Sequence, residues 1–270
     1  MEETPSKLQK LNKMLAALGS AAVGFSGGAD STFLAAAAHR VLGERAVAVT
    51  CCSPTLPAGE REEAAATARL IGIRHVLLPQ NELDRVDFVR NGADRCYHCK
   101  KGRFAALVAW AAAEGYRWAL EGANADDAGD YRPGLRALTE LAAVRSPLLE
   151  AGLTKAEVRE LSRRWGLPTW NKPAAACLSS RVAYGLPVTA EKLSQIEQAE
   201  AVLKSYCRGQ LRVRHHGELA RIETEPEEIA AIAGAAAEIA AQLKALGFTF
   251  VAVDLDGYRT GSMNQVLQKN

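Results

Sequence analysis

The chain has 270 residues, 48% of them hydrophobic and 24% charged, with a formal net charge of +2. This length suits one large domain or one medium and one small, and the apolar content excludes a disordered chain or a disulfide-stapled miniprotein. The near balance of charge gives no global basic field, so nucleic-acid binding cannot be argued from charge.

The opening residues MEETPSKLQKLNKML lack the apolar core of a signal peptide. The apolar run Ala105–Ala113 falls well short of the ~18–20 residues of a membrane span. Six cysteines without an export signal are expected to be reduced thiols in a cytoplasmic protein with neither membrane nor nucleic acid as partner.

In chain order, Leu8, Leu11, Leu15 and Leu18 have helical spacing that ends at Gly19. A strand is expected at Ala21–Phe25, a helix from about Asp30 to Leu42 and a second strand at Ala46–Cys51. Helices at Arg61–Ile71 and Lys101–Gly115 follow, with strands at Val76–Leu78 and Trp118–Glu121. After the polar stretch Gly122–Gly134 a helix runs from Thr154 to Trp165, with Thr154 and Glu157 in the pattern of a capping box. Strands alternating with helices predict an α/β fold, a parallel sheet with helices on both faces. Beyond Gly185 the pattern becomes helix (Ala190–Tyr206), two strands (Leu211–His215 and Glu218–Thr224), helix (Pro226–Leu246) and strand (Thr249–Leu255). The expected division is therefore 1–185 and 186–270, the second a small α+β domain for substrate binding or oligomerisation.

The most informative segment is Val23-Gly24-Phe25-Ser26-Gly27-Gly28-Ala29-Asp30-Ser31. A strand leading through Ser-Gly-Gly into a helix makes an anion nest of backbone N–H groups, and the missing Cβ atoms let phosphate approach. Ser26 and Ser31 add hydroxyls, and Asp30 can hold Mg²⁺ between phosphate oxygens. No lysine follows, so this is not the phosphate loop of common kinases and NTPases, and the dinucleotide glycine pattern is absent too. The string resembles the loop of the ATP pyrophosphatases, the superfamily of GMP synthetase, NAD synthetase and tRNA thiolation enzymes. That resemblance implies an adenine nucleotide alpha hydrolase-like fold in which ATP is cleaved between its α and β phosphates. It also implies that Gly24 and Ser26–Ser31 cradle the pyrophosphate, with Thr50 and Gly122 near the nucleotide.

Cys96-Tyr97-His98-Cys99 is open to three chemical readings, half a zinc site, a redox pair or cluster ligands, besides simple packing. Cys177, followed by Ser180 and Arg181, has a guanidinium four residues on that can stabilise a thiolate. Arg212, Arg214 and His216 alternate on one strand face, where two guanidiniums suit a phosphate. Asp130, in the polar loop, is a second candidate for Mg²⁺, and Glu200 and Glu223 are candidates for proton transfer.

Taken together, SGGADS, RCYHCK (95–100), EGANADDAGDYRPG (121–134), Lys172–Gly185 and DGYRTGSMN (256–264) resemble the LarE family over roughly residues 7–268. These are ATP-dependent sulfur transferases that help make the nickel-pincer nucleotide cofactor of lactate racemase. The resemblance implies a pyridinium mononucleotide substrate whose carboxylates are adenylated and converted to thiocarboxylates. In one branch a cysteine matching Cys177 gives up its own sulfur and is left as dehydroalanine. In another, three cysteines hold a [4Fe–4S] cluster that carries an extra sulfide, and Cys96, Cys99 and Cys177 fit that pattern. The expected cofactors are thus ATP, Mg²⁺ and the cluster; the expected partners are the nucleotide substrate, a sulfide donor, other proteins of the pathway and further copies of the chain. Arg212 and Arg214 are then phosphate anchors, and Ser180 and Arg181 stand beside the sulfur-bearing residue. Three other functions share parts of the pattern: a tRNA thiolase, an amidating ligase like NAD synthetase, and an ATP-binding sensor with a structural metal.

Overall fold

The computed structural model describes residues 4–129, 133–173 and 176–267. The first elements are α1 Thr4–Leu18, β1 Ala21–Gly24, α2 Ala29–Leu42, β2 Ala46–Cys52, α3 Ala58–Ile71, β3 Arg74–Pro79, α4 Val86–Val89 and α5 Arg95–Ala113. Next come β4 Trp118–Leu120, α6 Pro133–Thr139, β5 Val144–Arg145, α7 Pro147–Glu150 and α8 Lys155–Arg164. The chain ends with α9 Ala190–Leu203, β6 Arg212–His216, β7 Leu219–Glu223, α10 Ile229–Gly234, α11 Ala236–Ala245 and β8 Phe250–Val253. It divides into two compact units, one of residues 1–81 and 96–175, the other of 82–95 and 176–270. Among the described residues no helix is long and apolar enough to cross a membrane.

The first unit is built on a parallel five-stranded sheet in the order β3-β2-β1-β4-β5, with Val23 of β1 opposite Ala48 on one side and Leu120 on the other. Alternate strand residues point to opposite faces. Ala21, Val23, Ala46 and Ala48 join Leu11, Leu15, Phe33 and Val158 in one core, whereas Ala22, Val47 and Val49 meet Leu107 and Ala111 of α5 in the other. Helices therefore cover both faces, as the alternation of elements predicts. The alanines of α2, Ala35 to Ala38, are all buried, which lets this helix lie close against the sheet.

In the second unit β6 and β7 form an antiparallel hairpin and β8 returns parallel to β7 through α10 and α11. Its core joins Leu203 of α9 to Val213, Ile222, Ile239, Leu243 and Phe248. Two expectations are corrected here. The single helix expected over Pro226–Leu246 is a 3₁₀ turn followed by α10 and α11, parted at Gly234-Ala235 where a poor helix former stands. The Cys96–Cys99 motif does not precede a helix: it lies inside α5, which starts at Arg95.

Candidate functional site

The order of the five strands reverses beside β1, since the chain leaves it for β2 on one side and reaches β4 on the other. Ligands of open parallel sheets bind outside the carboxyl ends of the strands at such a switch point. There β1 delivers the Ser-Gly-Gly turn and β4 delivers Gly122, and a cavity of about 300 Å³ opens between them. Gly27 has φ +70°, and a Cβ on it would lie 3.1 Å from the Cβ of Ala64, so glycine is required twice over. A Cβ on Gly122 would lie 3.3 Å from the backbone nitrogen of Ser31, which shows how closely β4 approaches the start of α2.

Gly28 is the N-cap of α2 and no side chain caps it, which leaves N–H groups of the first turn for a ligand or water. The Ser26 and Ser31 hydroxyls lie 3.1 Å apart, and Ser31 donates to the Gly28 carbonyl at 3.2 Å. Gly24, Ser26, Gly28, Asp30, Ser31, Thr50 and Gly122 all line the cavity. The Thr50 hydroxyl is nevertheless engaged: it donates to the Phe25 carbonyl at 2.7 Å and lies 2.8 Å from His75 Nε2. Burial, followed by the nearby Arg69, lowers the pKa of His75.

Asp30 faces the cavity with its carboxylate paired to Lys155 and 3.4 Å from the Asn124 amide. Asp126 and Asp127 are occupied by backbone, accepting from the N–H groups of Lys155 and Asn124. Mg²⁺ bound through phosphates needs only one or two protein carboxylates, and Asp30 meets that need. Asp130 lies outside the described residues. Several residues around the cavity were not singled out in the sequence. Lys155 meets Asp30, Lys172 approaches the Gly27 carbonyl at 3.4 Å, and Arg103 donates to Ser53 at 3.1 Å and Thr55 at 2.7 Å. Glu121 takes Lys100 at 2.8 Å. Lys100, Glu121 and Lys172 lie within the quoted motifs, but their contacts emerge only in the folded chain.

In the second unit, Cys177 is half-buried, its Sγ 3.0 Å from the Ser179 hydroxyl. Its carbonyl accepts from the Ser180 hydroxyl at 2.7 Å and from Arg181 Nη1 at 2.9 Å. Arg181 also reaches the Ala176 carbonyl and forks onto Glu200 at 3.0 and 3.2 Å. Arg181 thus fixes the backbone that carries the sulfur, and Glu200 fixes Arg181. Asn91 supports the same segment, donating to the carbonyls of Ala183 at 2.8 Å and Leu186 at 2.9 Å, while Arg95 donates to the Ser179 carbonyl at 2.9 Å.

The two arginines of β6 have different surroundings. Arg214 is buried and forked onto Glu223 at 2.8 and 2.6 Å, and Glu223, fully buried, also takes Arg221 at 2.9 Å and the Ser262 hydroxyl at 2.8 Å. This commits Glu223 to balancing two guanidiniums. Arg212 has no carboxylate partner among the described residues; it lies over the Tyr258 ring at 5.3 Å. Burial, followed by the charge of Arg181, lowers its pKa. A half-buried guanidinium among like charges is a receptive place for an anion.

Cys96 and Cys99 stand three residues apart on α5, the first exposed and the second half-buried, so they share a helix face. Among the described residues no three His, Cys, Asp or Glu side chains form a group that could hold a metal ion.

No family model matches the chain. It is 43% identical over 266 residues to an uncharacterized protein of Synechocystis, covering 98% of this chain and 99% of that one. It is 37% identical over 248 residues to the pyridinium-3,5-bisthiocarboxylic acid mononucleotide synthase of Lactiplantibacillus plantarum, covering 92% of this chain and 90% of that protein. An uncharacterized protein of Methanocaldococcus jannaschii is 27% identical over 238 residues, 88% of this chain and 90% of its own. With the phosphate-nest loop at the switch point of the sheet and a named relative matched almost end to end, the chain belongs to the LarE family of ATP-dependent sulfur transferases.

Proposed function

We propose that the protein adenylates a carboxylate of a pyridinium mononucleotide and then replaces a carboxylate oxygen with sulfur delivered at Cys177, a step in nickel-pincer nucleotide biosynthesis. The observation that carries this reading is the Ser26–Ser31 loop opening on a cavity in a chain similar to a bisthiocarboxylic acid mononucleotide synthase. In the first step the loop's N–H groups and hydroxyls hold the β and γ phosphates; Asp30 would hold Mg²⁺, which would offset their charge. A carboxylate oxygen forms a bond to the α-phosphorus, the bond from that phosphorus to the bridging oxygen breaks, and pyrophosphate departs with the electron pair. The acyl-adenylate then has AMP as its leaving group, and sulfur attacks the carbonyl carbon. Arg212 and Arg214 anchor the substrate phosphate in this reading, Arg212 carrying the larger share because Arg214 is balanced by Glu223.

The thiols of Cys96, Cys99 and Cys177 are of the chemical type that holds an iron–sulfur cluster, although among the described residues they form no group of three metal-ligating side chains. Such a cluster would supply an open iron for exogenous sulfide. No step above depends on it, since Cys177 can instead give its own sulfur.

Exchange of labelled pyrophosphate into ATP separates the two stages. Cys177→Ala is expected to retain substrate-dependent exchange while thiocarboxylate formation disappears. Full product formation by this variant would overturn the role given to Cys177.

A further inference from the structure

The mononucleotide proposed above carries a permanent positive charge on an aromatic ring, and no residue assigned so far meets that ring. Arg212 and Arg214 answer its phosphate, but a guanidinium repels a pyridinium. The face of an aromatic side chain attracts one, because its quadrupole is negative above the plane. Tyr258 offers such a face in the second unit. The Arg212 guanidinium carbon lies 5.3 Å from its ring centroid, within cation–π reach.

The chain holds this ring in place through its backbone. Gly257 has φ +69°, and a Cβ on it would lie 2.8 Å from the Thr224 carbonyl oxygen, so glycine is required there. The Tyr258 N–H donates to that same carbonyl at 2.7 Å, and its side chain is half-buried. Further along, the Ser262 hydroxyl accepts from Arg214 at 3.1 Å and donates to Glu223 at 2.8 Å, so the segment is tied to the sheet on both sides of the turn. Cys177 belongs to the same frame. Its carbonyl accepts from Arg181, Arg181 forks onto Glu200, and Glu200 accepts the N–H of Val213, the neighbour of Arg212.

We propose that Tyr258 stacks against the pyridinium ring of the substrate and is the specificity-determining residue for its positive charge. This rests on the mononucleotide reading and deepens it. Arg212 here stands over the tyrosine face as the ligand's cation would. When the substrate phosphate draws the guanidinium to itself, the pyridinium takes its place on the ring. The exchange keeps a cation over Tyr258 and keeps the two positive charges apart. Tyr258 makes and breaks no bond; it separates a charged ring from a neutral one of the same outline.

Calorimetric titration without ATP, which leaves the carboxylates unreacted, tests this with pyridinium-3,5-dicarboxylate mononucleotide and with its dihydropyridine form. In the second ligand an added hydride cancels the ring charge and leaves the phosphate and carboxylates in place. Tyr258→Leu is expected to weaken binding of the charged form about 5- to 30-fold, and of the reduced form no more than about two-fold. Tyr258→Phe, which keeps an aromatic face, is expected to stay within about three-fold of wild type for both ligands. Equal losses for the two ligands in Tyr258→Leu, or a Phe variant as impaired as the Leu one, contradict the proposal. Undiminished affinity of Tyr258→Leu for the charged form contradicts it as well. Wild-type protein that binds the charged form no more tightly than ribose-5-phosphate would overturn the mononucleotide reading itself.

Discussion

Arg212 and Arg214 are two residues apart on β6, and strand alternation in the sequence places both on one face. The register sets Arg212 opposite Glu223 and Arg214 opposite Arg221, yet Glu223 takes its diagonal neighbour Arg214 and not Arg212. The fork from Arg214 to Glu223 is closed to water, with side-chain exposures of 7% and 0%. Removing one member of such a pair leaves an uncompensated buried charge, so Glu223→Ala is expected to cost about 3–5 kcal/mol in urea unfolding. Arg212→Ala is expected to cost about 1 kcal/mol or less, because it breaks no ion pair, and to weaken binding of the mononucleotide substrate instead. Equal stability losses in the two variants would contradict this division of labour. The sequence displays the arginines, but their different duties depend on a carboxylate nine residues away and were not legible. Cys177 was legible as a candidate, whereas Asn91, which grips its segment, stands outside the quoted motifs, and Arg95 opens RCYHCK without any sign of that contact.

At the scale of elements, periodicity was a good guide where helices are amphipathic and strands fully buried. The capping box at Thr154 could be read from its spacing alone, and both of its hydrogen bonds are present, at 3.2 and 2.9 Å. Burial would raise the pKa of Glu157, but bonds from the Thr154 backbone, Lys7 and Thr4 outweigh it and hold the carboxyl at about 2. Thr154→Ala is expected to cost about 1 kcal/mol, read as a lower urea midpoint; an unchanged midpoint would mean the cap contributes nothing. The start of α5 was missed because RCYHCK has no apolar period. β5, only two residues long, is too short to leave a pattern.

For the whole molecule, the alternation of strands and helices disclosed the parallel sheet, and the glycine turn after β1 pointed to the end of the sheet where the cavity opens. The inclusion of residues 82–95 in the second unit left no trace in composition. Both units carry histidines whose pKa is lowered chiefly by burial, the half-buried His75 in the first and the buried His215 and half-buried His216 in the second. His215 falls to about 4; its Nε2 meets Gln195 at 3.0 Å while its Nδ1 is buried without a partner. The unfolded chain therefore binds these protons more readily than the folded one. The stabilisation is complete above the ordinary histidine value near 6.5 and is lost as pH falls towards 4. Urea midpoints are expected to drop between pH 7 and pH 4.5, less steeply in His215→Gln; a flat profile would contradict this. The central claim concerns the fate of one oxygen atom. With substrate labelled by oxygen-18 in its carboxylates, mass spectrometry of the released AMP is expected to find one labelled oxygen for each sulfur installed, because the carboxylate oxygen leaves on the α-phosphate. Unlabelled AMP accompanying a thiocarboxylate product would contradict the acyl-adenylate and the account built on it.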